Sequence, residues 1–213
     1  MELASYIDHT LLKPDATVSD ILRLCDEAIQ HRFAAVCVNP VYVSLAAHLL
    51  SGTGVKAATV VGFPLGATPS AVKAFETRTA IESKADEIDM VMNIGAAKSG
   101  EWEAVTDDIR QVVAAADGKT VKVIIETGLL SDEEKRKACQ AVLAASAHYI
   151  KTSTGFGPGG ALVADIELFK SEVGDRAGIK ASGGIRTREE AEALIAAGAT
   201  RLGTSAGIKL TIS

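Results

Sequence analysis

The stretch Tyr149-Ile150-Lys151-Thr152-Ser153-Thr154-Gly155-Phe156-Gly157 begins with the pattern of a strand and ends as a glycine loop. Lys151 stands where the strand stops. An amine placed there can attack a carbonyl and form a Schiff base, provided that it is neutral. At the reference pKa of about 10.4, only about one lysine in two thousand is neutral at pH 7. The site must therefore lower that value, by burial or by a neighbouring cation. Lys180, in Gly178-Ile179-Lys180-Ala181-Ser182-Gly183-Gly184, can be that cation. Pointing inward from an apolar strand, it comes near Lys151; pointing outward, it would snorkel between helices. Bringing one pKa from about 10.4 to about 7.4 represents roughly 4 kcal/mol of differential interaction. Asp89, in Glu87-Ile88-Asp89-Met90-Val91-Met92, is an acid within a buried strand, which is costly unless paired. A lysine partner would satisfy it and set up proton transfer to and from a substrate. Asp86 and Glu87 are expected outside the site, at the N-terminal end of the same strand.

Glycine loops supply a second chemical feature. Gly155-Phe156-Gly157, Ser182-Gly183-Gly184-Ile185-Arg186 and Gly203-Thr204-Ser205 each follow a strand pattern. Backbone N–H groups exposed in such loops and at the helix N-termini behind them bind phosphate. One glycine pair is weak evidence, since turns use glycine anyway. Three loops at consecutive strand ends form a coherent anion seat, to which Arg186 adds charge or which it simply borders.

The elements that must position these residues alternate along the chain. Strand patterns cover 6–9, 34–38, 56–61, 87–92, 121–126, 149–151, 179–181 and 201–203. Helix patterns cover 18–31, 41–50, 69–83, 101–116, 131–146, 161–172 and 187–198, with a short helix after Ser205. Ser131-Asp132-Glu133-Glu134 and Thr187-Arg188-Glu189-Glu190 are helix starts, with a capping hydroxyl and acids in the first turn. Eight strand–helix units in 213 residues, joined by short connections, predict a single-domain (β/α)₈ barrel over 1–213. An open doubly wound sheet would use the same alternation. In a closed barrel the site forms at the strand C-termini, where Asp8, Cys37, Asp89, Lys151 and Lys180 fall.

Composition narrows the function classes. Hydrophobic residues make up 47% and aromatics 4%, so aliphatic side chains must build the core. The net charge of −5, with no basic run, argues against nucleic-acid binding. The N-terminus Met1-Glu2-Leu3-Ala4 lacks a signal-peptide pattern, and no apolar run approaches the ~20 residues that span a bilayer. Cys25, Cys37 and Cys139 are odd in number and widely spaced, which predicts reduced thiols and a cytoplasmic protein. Cys25 and Cys139 are expected in the core; Cys37 lines the site or fills the core. His9, His31, His48 and His148 form no metal-binding spacing, so no metal is expected. No Gly-x-Ser-x-Gly elbow points to a hydrolase.

Six motifs in order carry a family resemblance: Ile7-Asp8-His9-Thr10-Leu11-Leu12-Lys13, Cys37-Val38-Asn39-Pro40, Val61-Gly62-Phe63-Pro64-Leu65-Gly66, Asp86-Glu87-Ile88-Asp89-Met90-Val91, Lys151-Thr152-Ser153-Thr154-Gly155-Phe156 and Lys180-Ala181-Ser182-Gly183-Gly184-Ile185-Arg186. From about residue 5 to residue 209 the chain resembles the deoxyribose-phosphate aldolases. The resemblance implies a class I aldolase that reversibly cleaves 2-deoxy-D-ribose 5-phosphate to D-glyceraldehyde 3-phosphate and acetaldehyde. It implies that Lys151 is the Schiff-base lysine, that Asp89 and Lys180 move protons, and that Asp8, Thr10, Cys37 and Thr152 line the substrate. The loops containing Gly155, Gly157, Gly183, Gly184, Arg186, Gly203, Thr204 and Ser205 correspond to the phosphate site. The resemblance further implies no metal or organic cofactor, no membrane or nucleic-acid partner, and a cytoplasmic homodimer or larger homo-oligomer. Some members carry a longer tail ending in tyrosine; this sequence has no such residue, so no tail role is carried over. The competing readings are a different Schiff-base aldolase or transaldolase acting on a phosphosugar, and a non-catalytic sugar-phosphate-binding barrel.

Overall fold

The computed structural model describes residues 3–211. The reading of Met1 and Glu2, and the last two residues of the short C-terminus, lie outside it. Eight parallel strands close on themselves: β1 Ile7–Leu11, β2 Ala35–Val38, β3 Lys56–Val61, β4 Glu87–Val91, β5 Thr120–Ile124, β6 Tyr149–Lys151, β7 Gly178–Ser182 and β8 Arg201–Thr204. β8 pairs with β1 through Asp8 and Gly203, so the sheet has no free edge. The helices are α1 Val18–His31, α2 Val43–Leu50, α3 Ser70–Glu82, α4 Ile94–Lys98, α5 Trp102–Ala115, α6 Asp132–Ala144, α7 Val163–Val173, α8 Arg188–Ala196 and α9 Gly207–Thr211. The predicted barrel is the observed one, with the open sheet excluded by closure.

Local chemistry sets the helix starts. Thr17 with Asp20, Ser131 with Glu134 and Thr187 with Glu190 each form a reciprocal capping box. The helix expected over 41–50 starts later, because Pro40 opens a short 3₁₀ turn, Pro40–Tyr42, before α2. The extra helix α4 was absent from the sequence reading. The side chain of Asn93, read there as the end of a strand, caps it by accepting from the N–H of Ala96.

The main core lies between the strands and the helices and is built from aliphatic side chains, with Cys25 and Cys139 buried among them. A smaller cluster of Leu12, Ala35, Cys37, Ala58 and Val60 fills part of the barrel interior. The rest of the interior is ionic. Strand register sets Asp89 beside Lys122, Lys151 beside Lys180, and Lys180 beside Arg201.

A second buried ion pair sits outside the barrel. Lys73 on α3 donates to Asp108 on α5 at 2.6 Å and to the carbonyl of Val91 at 2.9 Å. Asp108 also accepts from the hydroxyl of Ser70 and the N–H of Asn93. The pair thereby grips the C-terminal end of β4, the strand that carries Asp89. Removing one partner of a buried pair leaves an uncompensated charge, at a cost of about 3–5 kcal/mol. Asp108→Ala is expected to lower urea-unfolding stability by about that amount, and the double variant Lys73→Met/Asp108→Leu by less. Equal losses in the two variants would contradict this account.

Candidate active site

Inside the barrel, three carboxylates meet four cationic side chains. Asp89 is the hub: its Oδ2 accepts from Lys151 Nζ and from Lys180 Nζ, each at 2.7 Å, and its Oδ1 accepts from Lys122 Nζ at 2.7 Å. Asp8 receives Lys180 on one oxygen and Arg201 on the other, the latter at 2.7 Å. Glu87 lies 2.5 Å from Lys122 and 3.3 Å from Arg201. Asp8, Asp89, Lys122 and Lys180 are fully buried, and Lys151 is 3% exposed. Glycine makes room at Gly203, where a Cβ would lie 3.0 Å from Lys180 Cε and 2.9 Å from Ser182 Cβ. A side chain there would displace the lysine.

The partner count distinguishes the lysines. Lys180 has two carboxylates and Lys122 has Asp89 and Glu87 close by, with Asp8 at 3.7 Å. Among the described residues Lys151 has Asp89 alone. Burial pushes the Lys151 amine down, the charge of Lys180 pushes it further, and Asp89 offsets only part of this. Burial also works against Lys180 and Lys122, but their carboxylates outweigh it and hold both above the ordinary lysine value. Burial likewise opposes ionisation of Asp8 and Asp89, and the surrounding lysines overcome it, so both carboxyls are held below the usual range. The cluster thus favours loss of a proton at Lys151 in particular.

Lys151 is also the member of this cluster that lines a cavity of about 400 Å³ at the C-terminal mouth of the barrel. The other walls come from Thr10 and Lys13 at the end of β1, Thr154–Phe156 after β6, Ser182–Arg186 from the end of β7, and Gly203–Ala206 from the end of β8. Gly183 and Gly184 carry successive φ values of +90° and +79°, a backbone path open to glycine that leaves the loop without side chains to bar a ligand. Such a wall suits an anion. A wider hollow of about 780 Å³ at the opposite end of the barrel, lined by His148, Arg176 and Thr200, contains none of the reactive cluster.

The structure brings together most of the residues singled out in the sequence. Lys151, Lys180, Asp89 and Asp8 share one ionic cluster, and Thr10 joins the cavity wall, its hydroxyl donating to the carbonyl of Asp8. Gly155, Gly183, Gly184, Arg186, Gly203, Thr204 and Ser205 line the cavity. Three stand apart from it. The hydroxyl of Thr152 is engaged by the backbone of Ser182 on both sides, tying β6 to β7. Cys37 is enclosed in the small interior cluster, and burial, then the charge of Asp89, pushes its thiol up to about 11. Gly157 lies against Glu126 instead of the cavity.

Glu87 corrects an expectation: it is buried within the cluster and not outside the site, because it faces Lys122 on the neighbouring strand and Arg201 across the barrel. Asp86 does lie outside, accepting from the N–H of Ala57. Lys122 and Arg201 were missed. Lys122 interrupts the apolar run Val121-Lys122-Val123-Ile124, the same signal that marked Lys180. His9, ambiguous in sequence, faces outward to Glu27 on α1, at 2.7 Å. Among the described residues no group of side chains has the arrangement of a metal site.

The DeoC/LacD family aldolase model matches residues 3–209. The chain belongs to that family. A deoxyribose-phosphate aldolase of Streptococcus uberis is 58% identical over 210 residues, spanning 99% of this chain and 96% of its own length. One from Thermococcus gammatolerans is 57% identical, spanning 99% and 95%. Among solved structures, the tetrameric deoxyribose phosphate aldolase of Aeropyrum pernix superposes with a TM-score of 0.92 at 36% identity, covering 98% of this chain and 89% of that one. An aldolase designated QR15 gives 0.94 at 39%, covering 98% and 94%.

Imine formation needs the neutral amine, so the rate of reductive trapping of an aldehyde on Lys151 should rise with pH and level off below the ordinary lysine pKa of about 10.4. Lys180→Met removes one cation but leaves Asp8 paired with Arg201 and Asp89 paired with Lys122. Its rising limb should move to higher pH, since Lys151 then keeps its proton more firmly. A limb that stays put or moves lower would refute the role given to Lys180.

Proposed function

We propose that the chain is a class I deoxyribose-phosphate aldolase, reversibly cleaving 2-deoxy-D-ribose 5-phosphate to D-glyceraldehyde 3-phosphate and acetaldehyde. One observation carries the reading. Lys151, the least paired lysine of a buried cluster, opens into a cavity whose far walls are glycine loops suited to a phosphate. The names and high identity of the relatives support the substrate assignment.

The chemistry follows from that placement. The neutral amine of Lys151 attacks C1 of the open-chain sugar, and water leaves to give a protonated imine. The imine draws electrons from the C2–C3 bond. A base takes the proton of the C3 hydroxyl, the bond breaks, and glyceraldehyde 3-phosphate departs, leaving an enamine on Lys151. The enamine takes a proton at C2, and water hydrolyses the imine to release acetaldehyde and restore the amine. Asp89 and Lys180 move the protons. The loops after β7 and β8 hold the phosphate, so that binding far from the reacting carbon orients it. No step calls for a metal or an organic cofactor.

The protein is further proposed to act in the cytoplasm as a homodimer or larger homo-oligomer. Its three buried cysteines are free, and no described helix is long and apolar enough to cross a membrane. Leu65 and Phe75 are exposed apolar side chains of the kind that subunit contacts cover.

Borohydride with acetaldehyde should leave one reduced ethyl group on Lys151, found by peptide mapping. Lys151→Ala should give neither adduct nor turnover. Asp89→Asn should lower kcat by about 10²- to 10⁴-fold, the span of a lost proton-transfer group. Turnover should survive exhaustive chelation. An active enzyme without the Lys151 adduct would overturn the mechanism.

A further inference from the structure

After β6 the chain makes a turn that is held from outside by a buried carboxylate. Glu126 is 2% exposed and carries a φ of +55°, in the left-handed region that few non-glycine residues adopt. Its Oε2 accepts from the hydroxyl of Thr154 at 2.5 Å and from the Thr154 N–H at 3.3 Å. The same hydroxyl oxygen accepts from the N–H of Phe156 at 3.0 Å and of Gly157 at 3.3 Å. A Cβ at Gly157 would lie 2.8 Å from the carboxyl carbon of Glu126, so the glycine leaves space that the carboxylate fills. Through Thr154 this set holds the backbone N–H of Phe156.

Phe156 is 53% exposed yet shares the cavity wall with Lys151. Its ring meets Phe63 edge-on, with centroids 5.3 Å apart and planes at 87°. Phe63 follows β3, and β4 and β5 lie between that strand and β6. The ring pair therefore reaches across the barrel mouth. Phe63 is anchored below by the small interior cluster that contains Cys37.

We propose that Phe156, aimed by Glu126 through Thr154, is a specificity-determining residue: with Phe63 it forms an aromatic bridge that closes the β3-to-β6 side of the mouth and limits the length of the aldehyde donor at Lys151. Glu126 is a positioning residue that never touches substrate. The inference rests on the aldolase reading above.

The test compares kcat/KM for propanal and acetaldehyde as donors, with glyceraldehyde 3-phosphate as acceptor. Discrimination of one methylene by an apolar wall is worth about 10-fold or more. The propanal-to-acetaldehyde ratio should rise by about that factor in Phe156→Ala and by less in Phe156→Leu. Glu126→Ala and Thr154→Val, which cut the same chain of contacts at two points, should follow Phe156→Ala. Glu126→Gln keeps an acceptor for Thr154 and should stay near the wild-type ratio. An unchanged ratio in Phe156→Ala overturns the bridge. A raised ratio there, with wild-type ratios in both Glu126→Ala and Thr154→Val, overturns the role of Glu126. The acetaldehyde adduct on wild-type Lys151 separates the two levels: its absence sinks the aldolase reading, whereas its presence with an unchanged ratio sinks only the bridge.

Discussion

Three carboxylates and four cations share the interior of this barrel, and they cannot all be ionised without a surplus positive charge in a largely buried place. Burying an unbalanced charge is costly, so the group with the weakest support loses its charge most readily. Here that group is Lys151, which has Asp89 alone while Lys180 and Lys122 each face two or more carboxylates. The lowered pKa is thus a property of the whole cluster. Lys180 contributes as the nearest repelling charge, and Glu87, Asp8 and Arg201 contribute by deciding which cations are already satisfied.

The fold exists to make that arrangement possible. Parallel register sets Asp89 beside Lys122 and Lys151 beside Lys180 without any loop having to be ordered. Closure of β8 onto β1 brings Asp8 next to residues nearly two hundred positions away, and the bare Cα of Gly203 admits the Lys180 side chain between them. The Lys73–Asp108 pair steadies the end of β4 from outside. Charge placed on strands is held more rigidly than charge placed on loops, which keeps a reactive group within the narrow tolerance that catalysis needs. The loops are left to do what varies more easily, which is to shape the entrance.

Much of this was legible in the sequence, for identifiable reasons. A charged residue inside an apolar strand must be paired, and that rule alone picks out Asp89 and Lys180. Applied evenly it also picks out Lys122, between Val121 and Val123. Glu87 and Arg201 were hidden by their position at strand starts, where a charged side chain ordinarily meets solvent. Glu126 was read as the end of a strand, since a left-handed backbone leaves no mark in a non-glycine residue. Thr152 and Gly157 sit in motifs that resemble a site, yet their nearest partners, Ser182 and Glu126, are about thirty residues away in the chain and visible only after folding. The helix α4 was missed because five residues with a glycine among them carry too little periodicity to register.

The central claim is that Lys151 gives up its proton more readily than Lys122 or Lys180. It is tested most directly by nitrogen NMR of protein labelled at the lysine Nζ atoms, recorded across a pH titration. The account predicts that one lysine passes to the neutral amine at lower pH than the others, that this signal is absent from the spectrum of Lys151→Arg, and that Lys122 and Lys180 are still ammonium where it turns. Lys151 titrating with or after the ordinary lysines, or a low-titrating signal that survives Lys151→Arg, would contradict it.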